Sequence, residues 1–225
     1  MCRVTVVWHA LLCASMMAGW AWLWKQGLMG PLLASKFTIW NWCVVSLHFV
    51  LSCWGGVSLC LNSRREGGGV NSPSEGLVAK TFHLSFASST TMTVIFWSLF
   101  LFDKRLIIPD TFTEDVLPLG LNLLLHLWPL AALLLDLAAV PHPPGPLGQQ
   151  LIWITVYAFG HSASQVGEFL ATGGWPYPFM KYFSAGHYVG LIVVGAALAV
   201  GGLMLSRMLA SARASLAEKG HNKAS

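Results

Sequence analysis

Charged side chains are scarce in this sequence. Aspartate, glutamate, lysine and arginine make up only 10% of its 225 residues, whereas hydrophobic residues make up 55%. A soluble domain carries about 25% charged residues, and the mean hydropathy of this chain is +0.62. This composition excludes an ordinary water-soluble domain and predicts an integral membrane protein.

Motifs for metals and nucleotides are also missing. The sequence has no H-E-x-x-H, no C-x-x-C pair and no Gly-rich loop preceded by a strand pattern. Its five cysteines all lie at the N-terminus or inside the first two apolar runs, so a disulfide framework is not expected. The net charge of +4 is spread over loops and tail, which is typical of lipid headgroup contact. We therefore predict no metal, no cofactor and no nucleic-acid partner.

Long apolar runs are what the sequence has instead. Runs of about 18 or more apolar residues predict membrane-spanning helices. We predict an all-α polytopic membrane protein, a bundle of six transmembrane helices forming one domain over residues 1–225, with a polar cytosolic tail at 208–225. The predicted spans are 4–24, 37–61, 82–102, 116–140, 151–170 and 187–205. The fifth is the weakest, because it contains His161, Gln165 and Glu168.

Lysine and arginine are distributed unevenly between the two sides of this arrangement. The termini and even-numbered loops together hold eight, and the odd-numbered loops hold five. Cytosolic segments carry the excess of positive residues. We therefore predict that both termini are cytosolic, in the endoplasmic reticulum or the plasma membrane.

Polar side chains inside the apolar runs are candidate functional residues, since each is costly in lipid unless it finds a partner. Thr38 and Asn41 are three residues apart and share one face of the second span; Asn122 and His126 are four apart on the fourth. A hydroxyl and an imidazole can form a nucleophile and its base, and either asparagine can donate to an oxyanion. Thr38 and Asn41 also suit a helix start, so a capping role remains open.

Two further sets complete the candidates. Asp136 lies ten residues beyond His126, about 15 Å along a helix, which favours a structural acid over a triad member. Tryptophan and tyrosine mark membrane interfaces. The aromatic side chains predicted to lie beside the substrate at the interface are Trp40, Trp42, Trp175 and Tyr177.

Three stretches carry a resemblance to a known family. They are FWSLFLFDKRLIIP at 96–109, LNLLLH at 121–126 and TGGWPYPF at 172–179. With these three stretches in this order, the chain resembles the family of androgen-induced gene 1 and androgen-dependent tissue-factor-pathway-inhibitor-regulating proteins, also called the FAR-17a-like family. The resemblance covers about residues 37–205.

The resemblance implies an integral membrane hydrolase that uses threonine and histidine to cleave fatty acid esters of hydroxy fatty acids, with membrane lipids as its partners. KFTIWN at 36–41 resembles the family's nucleophile stretch, one residue shorter, which makes Thr38 the nucleophile. The family's histidine and acid correspond to His126 and Asp136.

Two alternatives remain. A transporter or scaffold without enzymatic activity would also carry polar helix faces. An inactive family member is the other, because Leu123 stands where the family has a second histidine, and Arg105 stands where it has an acid.

Overall fold

The computed structural model describes residues 2–25, 36–62, 73–107 and 119–224. Every regular element in these ranges is helical. The α-helices are α1 (Cys2–Lys25), α2 (Phe37–Asn62), α3 (Pro73–Asp103), α4 (Leu119–His126), α5 (Trp128–Ala139), α6 (Leu147–Thr172) and α7 (Ala185–Ala224). Short 3₁₀ turns occupy Lys104–Leu106 and Pro178–Tyr182.

Four of these helices are long and apolar enough to cross a membrane. They comprise Val4–Lys25, Phe37–Ser58, Gly76–Leu106 and Ala185–Leu216. Helices α4 and α5 together make a fifth span if the bent pair is treated as a single membrane crossing. Helix α6 is not among the helices that meet this criterion. The all-α, multi-pass architecture is thus confirmed, and the count of six spans and the single-domain division remain predictions.

Helix α3 is the central element, because it packs against α2, α5, α6 and α7. The core between α1, α2, α3 and α5 contains Met16, Trp42, Phe82 and Leu133, all fully buried. On the other side of α3, Gly202 of α7 lies so close that a Cβ there would come within 3.1 Å of the Ala87 backbone. Small residues allow such close approach of membrane helices.

The predicted fourth span, 116–140, is broken rather than continuous. Pro129 has no N–H and therefore leaves the carbonyl of Leu125, four residues earlier, without its helical donor. Helix α4 ends at His126, and α5 leaves at an angle of 48°. The indole N–H of Trp42 donates to the Leu125 carbonyl at 2.9 Å, and the Thr93 hydroxyl donates to the His126 carbonyl at 2.8 Å. Side chains from α2 and α3 thus stabilise the break.

The cysteines differ in part from expectation. Cys13, Cys43 and Cys53 are free thiols. Cys60 is in a disulfide, a bond that was not expected in a chain predicted to have no disulfide framework.

Candidate active site

Thr38 and His126 are in direct contact. Helix α2 begins after Lys36, whose carbonyl accepts from the N–H groups of Ile39 and Trp40 at 3.1 and 3.3 Å. Thr38 is therefore in the first turn, and its Oγ1 lies 3.0 Å from Nε2 of His126. His126 is the last residue of α4, so the imidazole lies at a helix end, directly before the break.

The hydrogen bonds of His126 define its tautomer. Its Nδ1 lies 3.0 Å from the backbone carbonyl of Asn122, which can only accept, so the proton is on Nδ1. The lone pair on Nε2 then accepts from the Thr38 hydroxyl. This is the arrangement of a nucleophile and its general base. The Asn122 carbonyl orients the imidazole here, as a carboxylate does in a catalytic triad.

The imidazole is held rigidly. Phe96 of α3 stacks on it with ring centroids 3.4 Å apart and an interplanar angle of 5°. The Thr93 hydroxyl holds its backbone carbonyl, and His126 is only 6% exposed. A base fixed at its ring face, its Nδ1 and its backbone loses little entropy when it engages a substrate.

A narrow cavity of about 180 Å³ opens onto this pair. Its walls come from α2, α3, α6 and α7, and apolar side chains dominate them. Along α3 the lining runs from Leu84 to Leu99, roughly 22 Å at a rise of about 1.5 Å per residue. Thr38 and His126 lie at the Phe96 end, because Phe96 stacks on His126. The cavity has the shape and polarity of a slot for an extended hydrocarbon chain.

The two asparagines do not line this cavity. The side-chain carbonyl of Asn41 accepts from the Ser89 hydroxyl at 3.0 Å, within the helix packing. Asn122 contributes its backbone carbonyl to His126. An oxyanion role for either side chain therefore remains a prediction. The backbone N–H of Thr38 has no acceptor among the described residues.

Two of the predicted interface aromatics lie at the site. Tyr177 lines the cavity, and its hydroxyl oxygen accepts from the backbone N–H of Phe37 at 2.8 Å. Burial raises the pKa of the Tyr177 phenol well above its ordinary value, so it stays neutral and able to donate. Trp40 packs edge-on against Tyr157, another lining residue, at 5.6 Å.

The other two aromatics do not line the cavity themselves. Trp175 stacks on Phe169 at the end of α6, with centroids 4.4 Å apart, and contacts the lining residue Tyr188 at 5.5 Å. Trp42 is fully buried against α1, edge-on to Trp20 at 6.3 Å. The expectation that Trp42 lies at the interface beside the substrate is wrong, because its indole fills the core and holds the break before Pro129.

Asp136 is in a separate buried cluster. Its carboxylate contacts three histidines, His9, His48 and His142, at 2.8–3.1 Å. The role of Asp136 as a structural acid remains a prediction.

The two departures from the family pattern lie away from the cavity. Leu123 is 41% exposed, on a face of α4 that does not line the cavity. Arg105 forms a bidentate pair with Asp103 on the surface, donating from Nε to Oδ1 at 3.0 Å and from Nη2 to Oδ2 at 2.9 Å. Neither departure alters the contact between Thr38 and His126. Sequence reasoning missed Phe96, although it lies in the FWSLF motif, and Pro129, although a proline inside an apolar run signals a break.

Comparison with known proteins agrees with the pattern of motifs. The profile of the FAR-17a/AIG1-like protein family matches residues 35–211. The chain is similar to the androgen-dependent TFPI-regulating protein of Mesocricetus auratus, with 27% identity over 162 residues that cover 71% of this chain and 66% of the relative. It thus spans just under two thirds of that relative's length. No solved structure gives a significant match.

Proposed function

This chain belongs to the FAR-17a/AIG1-like family, and on that premise we propose that it is a threonine-dependent esterase that hydrolyses fatty acid esters of hydroxy fatty acids within a membrane. The observation that carries the proposal is the 3.0 Å contact between the Thr38 hydroxyl and His126 Nε2 at one end of an apolar cavity. The substrate class rests on the sequence resemblance.

The first step forms an acyl-enzyme. His126 Nε2 takes the proton of the Thr38 hydroxyl as the oxygen attacks the ester carbonyl carbon. The tetrahedral intermediate collapses, the bond to the alcohol oxygen breaks, and His126 gives its proton to that oxygen. The hydroxy fatty acid leaves, and the fatty acyl group remains on Thr38 as an ester. During this step the Nδ1–H bond to the Asn122 carbonyl stabilises the imidazolium.

The second step regenerates the enzyme. A water molecule enters where the alcohol left, and His126 takes one of its protons as the water oxygen attacks the acyl-threonine carbonyl. The Thr38 oxygen leaves and recovers the proton from His126. The fatty acid is released, and both side chains return to their starting protonation states.

The start of α2 supports the oxyanion. The first N–H groups of a helix have no intrahelical acceptor and carry a partial positive charge. The N–H of Phe37 donates to the Tyr177 hydroxyl, whereas the N–H of Thr38 has no acceptor among the described residues and is the donor that we assign to the oxyanion. Donors that are already oriented stabilise the developing charge at little reorganisation cost.

A positive charge beside the site suits this substrate class. Lys36 is two residues before Thr38, and its Nζ lies 4.8 Å above the Tyr177 ring. Burial lowers the pKa of the Lys36 ammonium, and the carboxylate of Glu168 opposes that shift. A fatty acid ester of a hydroxy fatty acid retains one free carboxylate, which can pair with Lys36 while the acyl chain occupies the cavity.

The proposal is tested by covalent labelling. A fluorophosphonate probe with a long alkyl chain should label the purified protein, because it traps an activated hydroxyl next to a base. Labelling should disappear in Thr38→Ala and persist in Thr172→Ala, a change in an exposed hydroxyl at the end of α6. Absence of labelling in wild type, or equal labelling of both variants, would favour a transporter or scaffold.

A second prediction concerns acyl chain length. Ala199 lines the cavity at the end remote from Phe96, and Ala199→Phe should shorten the slot. Excluding about three methylenes at about 0.8 kcal/mol each lowers kcat/KM for long acyl chains roughly 50-fold, with short chains unaffected. The matched control is Ala197→Phe, the same change on a lipid-facing position of α7. Equal loss for every chain length would show that the acyl chain does not occupy this cavity.

A further inference from the structure

The buried carboxylate of Asp136 lies at the centre of three histidines from separate parts of the chain. Nε2 of His48 on α2 and of His142, in the segment before α6, lie 3.1 and 2.8 Å from Oδ2. Nε2 of His9 on α1 lies 2.9 Å from Oδ1. All four residues are at most 3% exposed. Within the described ranges, no lysine or arginine pairs with Asp136.

The hydrogen bonds of His48 show that its contact with Asp136 requires a positive charge. The Thr81 hydroxyl lies 3.0 and 3.1 Å from the Val78 and Leu77 carbonyls, closer than its 3.3 Å from His48 Nδ1. Its proton therefore goes to a carbonyl, and its oxygen accepts from Nδ1–H of His48. In neutral His48 this leaves the Nε2 lone pair facing the Asp136 carboxylate. Two lone pairs at that distance repel, so this contact needs a positive charge, which either a second proton on His48 or a metal cation supplies.

We infer that His48, His142 and Asp136 bind a divalent transition-metal ion, with His9 orienting the carboxylate. The three ligand atoms all lie within 4.8 Å of one another. Bonds of about 2.0–2.1 Å from Zn²⁺ to nitrogen or oxygen put neighbouring ligand atoms roughly 3.3 Å apart in a tetrahedron. The observed nitrogen-to-oxygen distances of 2.8 and 3.1 Å therefore need to open by only a few tenths of an ångström.

The surroundings resemble the outer shell of a metal site. Ligating imidazoles commonly donate their other N–H to an oxygen, which fixes the ring, and His48 does this with Thr81. His142 is fixed by stacking on Phe82, with centroids 3.9 Å apart and an angle of 3°. His9 holds the carboxylate oxygen that the ion does not use. Imidazole nitrogen with one carboxylate favours Zn²⁺ and similar ions over Mg²⁺ or Ca²⁺.

An approach for the ion and for a fourth ligand is present. A cavity of about 610 Å³ is lined by His9 and His142, together with Ser52, Pro141 and Ser211. Among the described residues, it shares no lining residue with the cavity at Thr38. Water in this cavity can complete the coordination. The ion would connect α2, α5 and the segment before α6, so its main effect is on stability, and the site is independent of the proposed esterase.

The test uses the full chain, purified in detergent through a tag without histidine. After loading with Zn²⁺ and removal of free metal, elemental analysis should find one ion per chain in wild type. Loading with Co²⁺ should give the visible d–d absorption of four-coordinate cobalt. A strong chelator should lower the Tm of the loaded protein. His142→Gln should lose the bound ion, the absorption and the response to chelator.

The control is His187→Gln. His187 is an exposed histidine near the start of α7 whose Nδ1 contacts the Ser184 hydroxyl at 2.9 Å, and its variant should bind metal like wild type. Asp136→Asn should behave like His142→Gln, and if it does not fold, His142→Gln and the wild-type cobalt spectrum decide. The inference is overturned if loaded wild type holds no ion, or if His142→Gln retains both the ion and the spectrum.

Discussion

Thr38→Ala is expected to lower kcat for lipid ester hydrolysis by roughly 10³-fold or more, because the acyl-enzyme cannot form without the hydroxyl. His126→Gln is expected to cause a loss of similar size, since glutamine cannot take the hydroxyl proton. The 3.0 Å contact makes the two groups one unit. Combining the two substitutions should therefore cost little more than either alone. The measurement is hydrolysis of a panel of branched and linear lipid esters by purified protein.

Two variants serve as controls for this result. Thr38→Ser keeps a hydroxyl at the same place and should retain measurable hydrolysis. Thr172→Ala removes a hydroxyl from an exposed position and should leave the rate unchanged. If Thr38→Ala retained wild-type kcat on every ester, the assignment of the nucleophile would be wrong, whatever residual labelling was seen.

The second large effect is expected from Trp42→Ala, which should destabilise the folded protein by about 3–5 kcal/mol, the usual cost of truncating a buried aromatic side chain. Trp42 is fully buried, packs edge-on against Trp20 and donates to the Leu125 carbonyl at 2.9 Å. Its removal leaves a cavity and an unpaired carbonyl at the break before Pro129. Trp42→Phe should fill most of the volume while leaving that carbonyl unpaired, so its loss should be smaller.

Trp54 offers a matched control on the same helix. It is 71% exposed, so lipid can fill the space that Trp54→Ala leaves, and the Tm should change little. Thermal unfolding of purified protein in detergent compares the three variants. Equal Tm for Trp42→Ala and Trp54→Ala would contradict the role given to Trp42. A fall in hydrolysis by Trp42→Ala at temperatures where it is folded would show that the break also positions His126.

Much of the architecture follows from hydropathy alone. Apolar runs predicted α1, α2, α3 and α7 within a few residues at most ends, because lipid forces the backbone of each run to satisfy its own hydrogen bonds. The start of α3 and the end of α7 were missed, because Pro73–Lys80 and the predicted polar tail from 208 onward lie outside the apolar runs. Here Pro73 suits the first helical turn. Hydropathy did not show the division of 116–140, because α4 and α5 are both apolar.

The candidate site could be predicted only as separate residues. Spacing placed Thr38 and His126 on apolar helices, and the resemblance paired them, but no periodicity states which faces of two helices meet. The contact depends on Pro129, Trp42 and Thr93, which are distant in sequence from one another. The cluster at Asp136 was missed for the same reason. Its ligands come from positions 48, 136 and 142, without the short spacing that defines recognisable metal motifs.

Gly19 of α1 lies directly against the Trp42 indole, where a Cβ would collide with the ring. That indole donates to the carbonyl of Leu125, the residue before His126, so α1 supports the position of the proposed base through Trp42. The region shared with the family begins only at residue 35. A larger residue at Gly19 would therefore be felt at His126 through the packing of Trp42 alone, which makes α1 a place where substitutions tune the site from a distance.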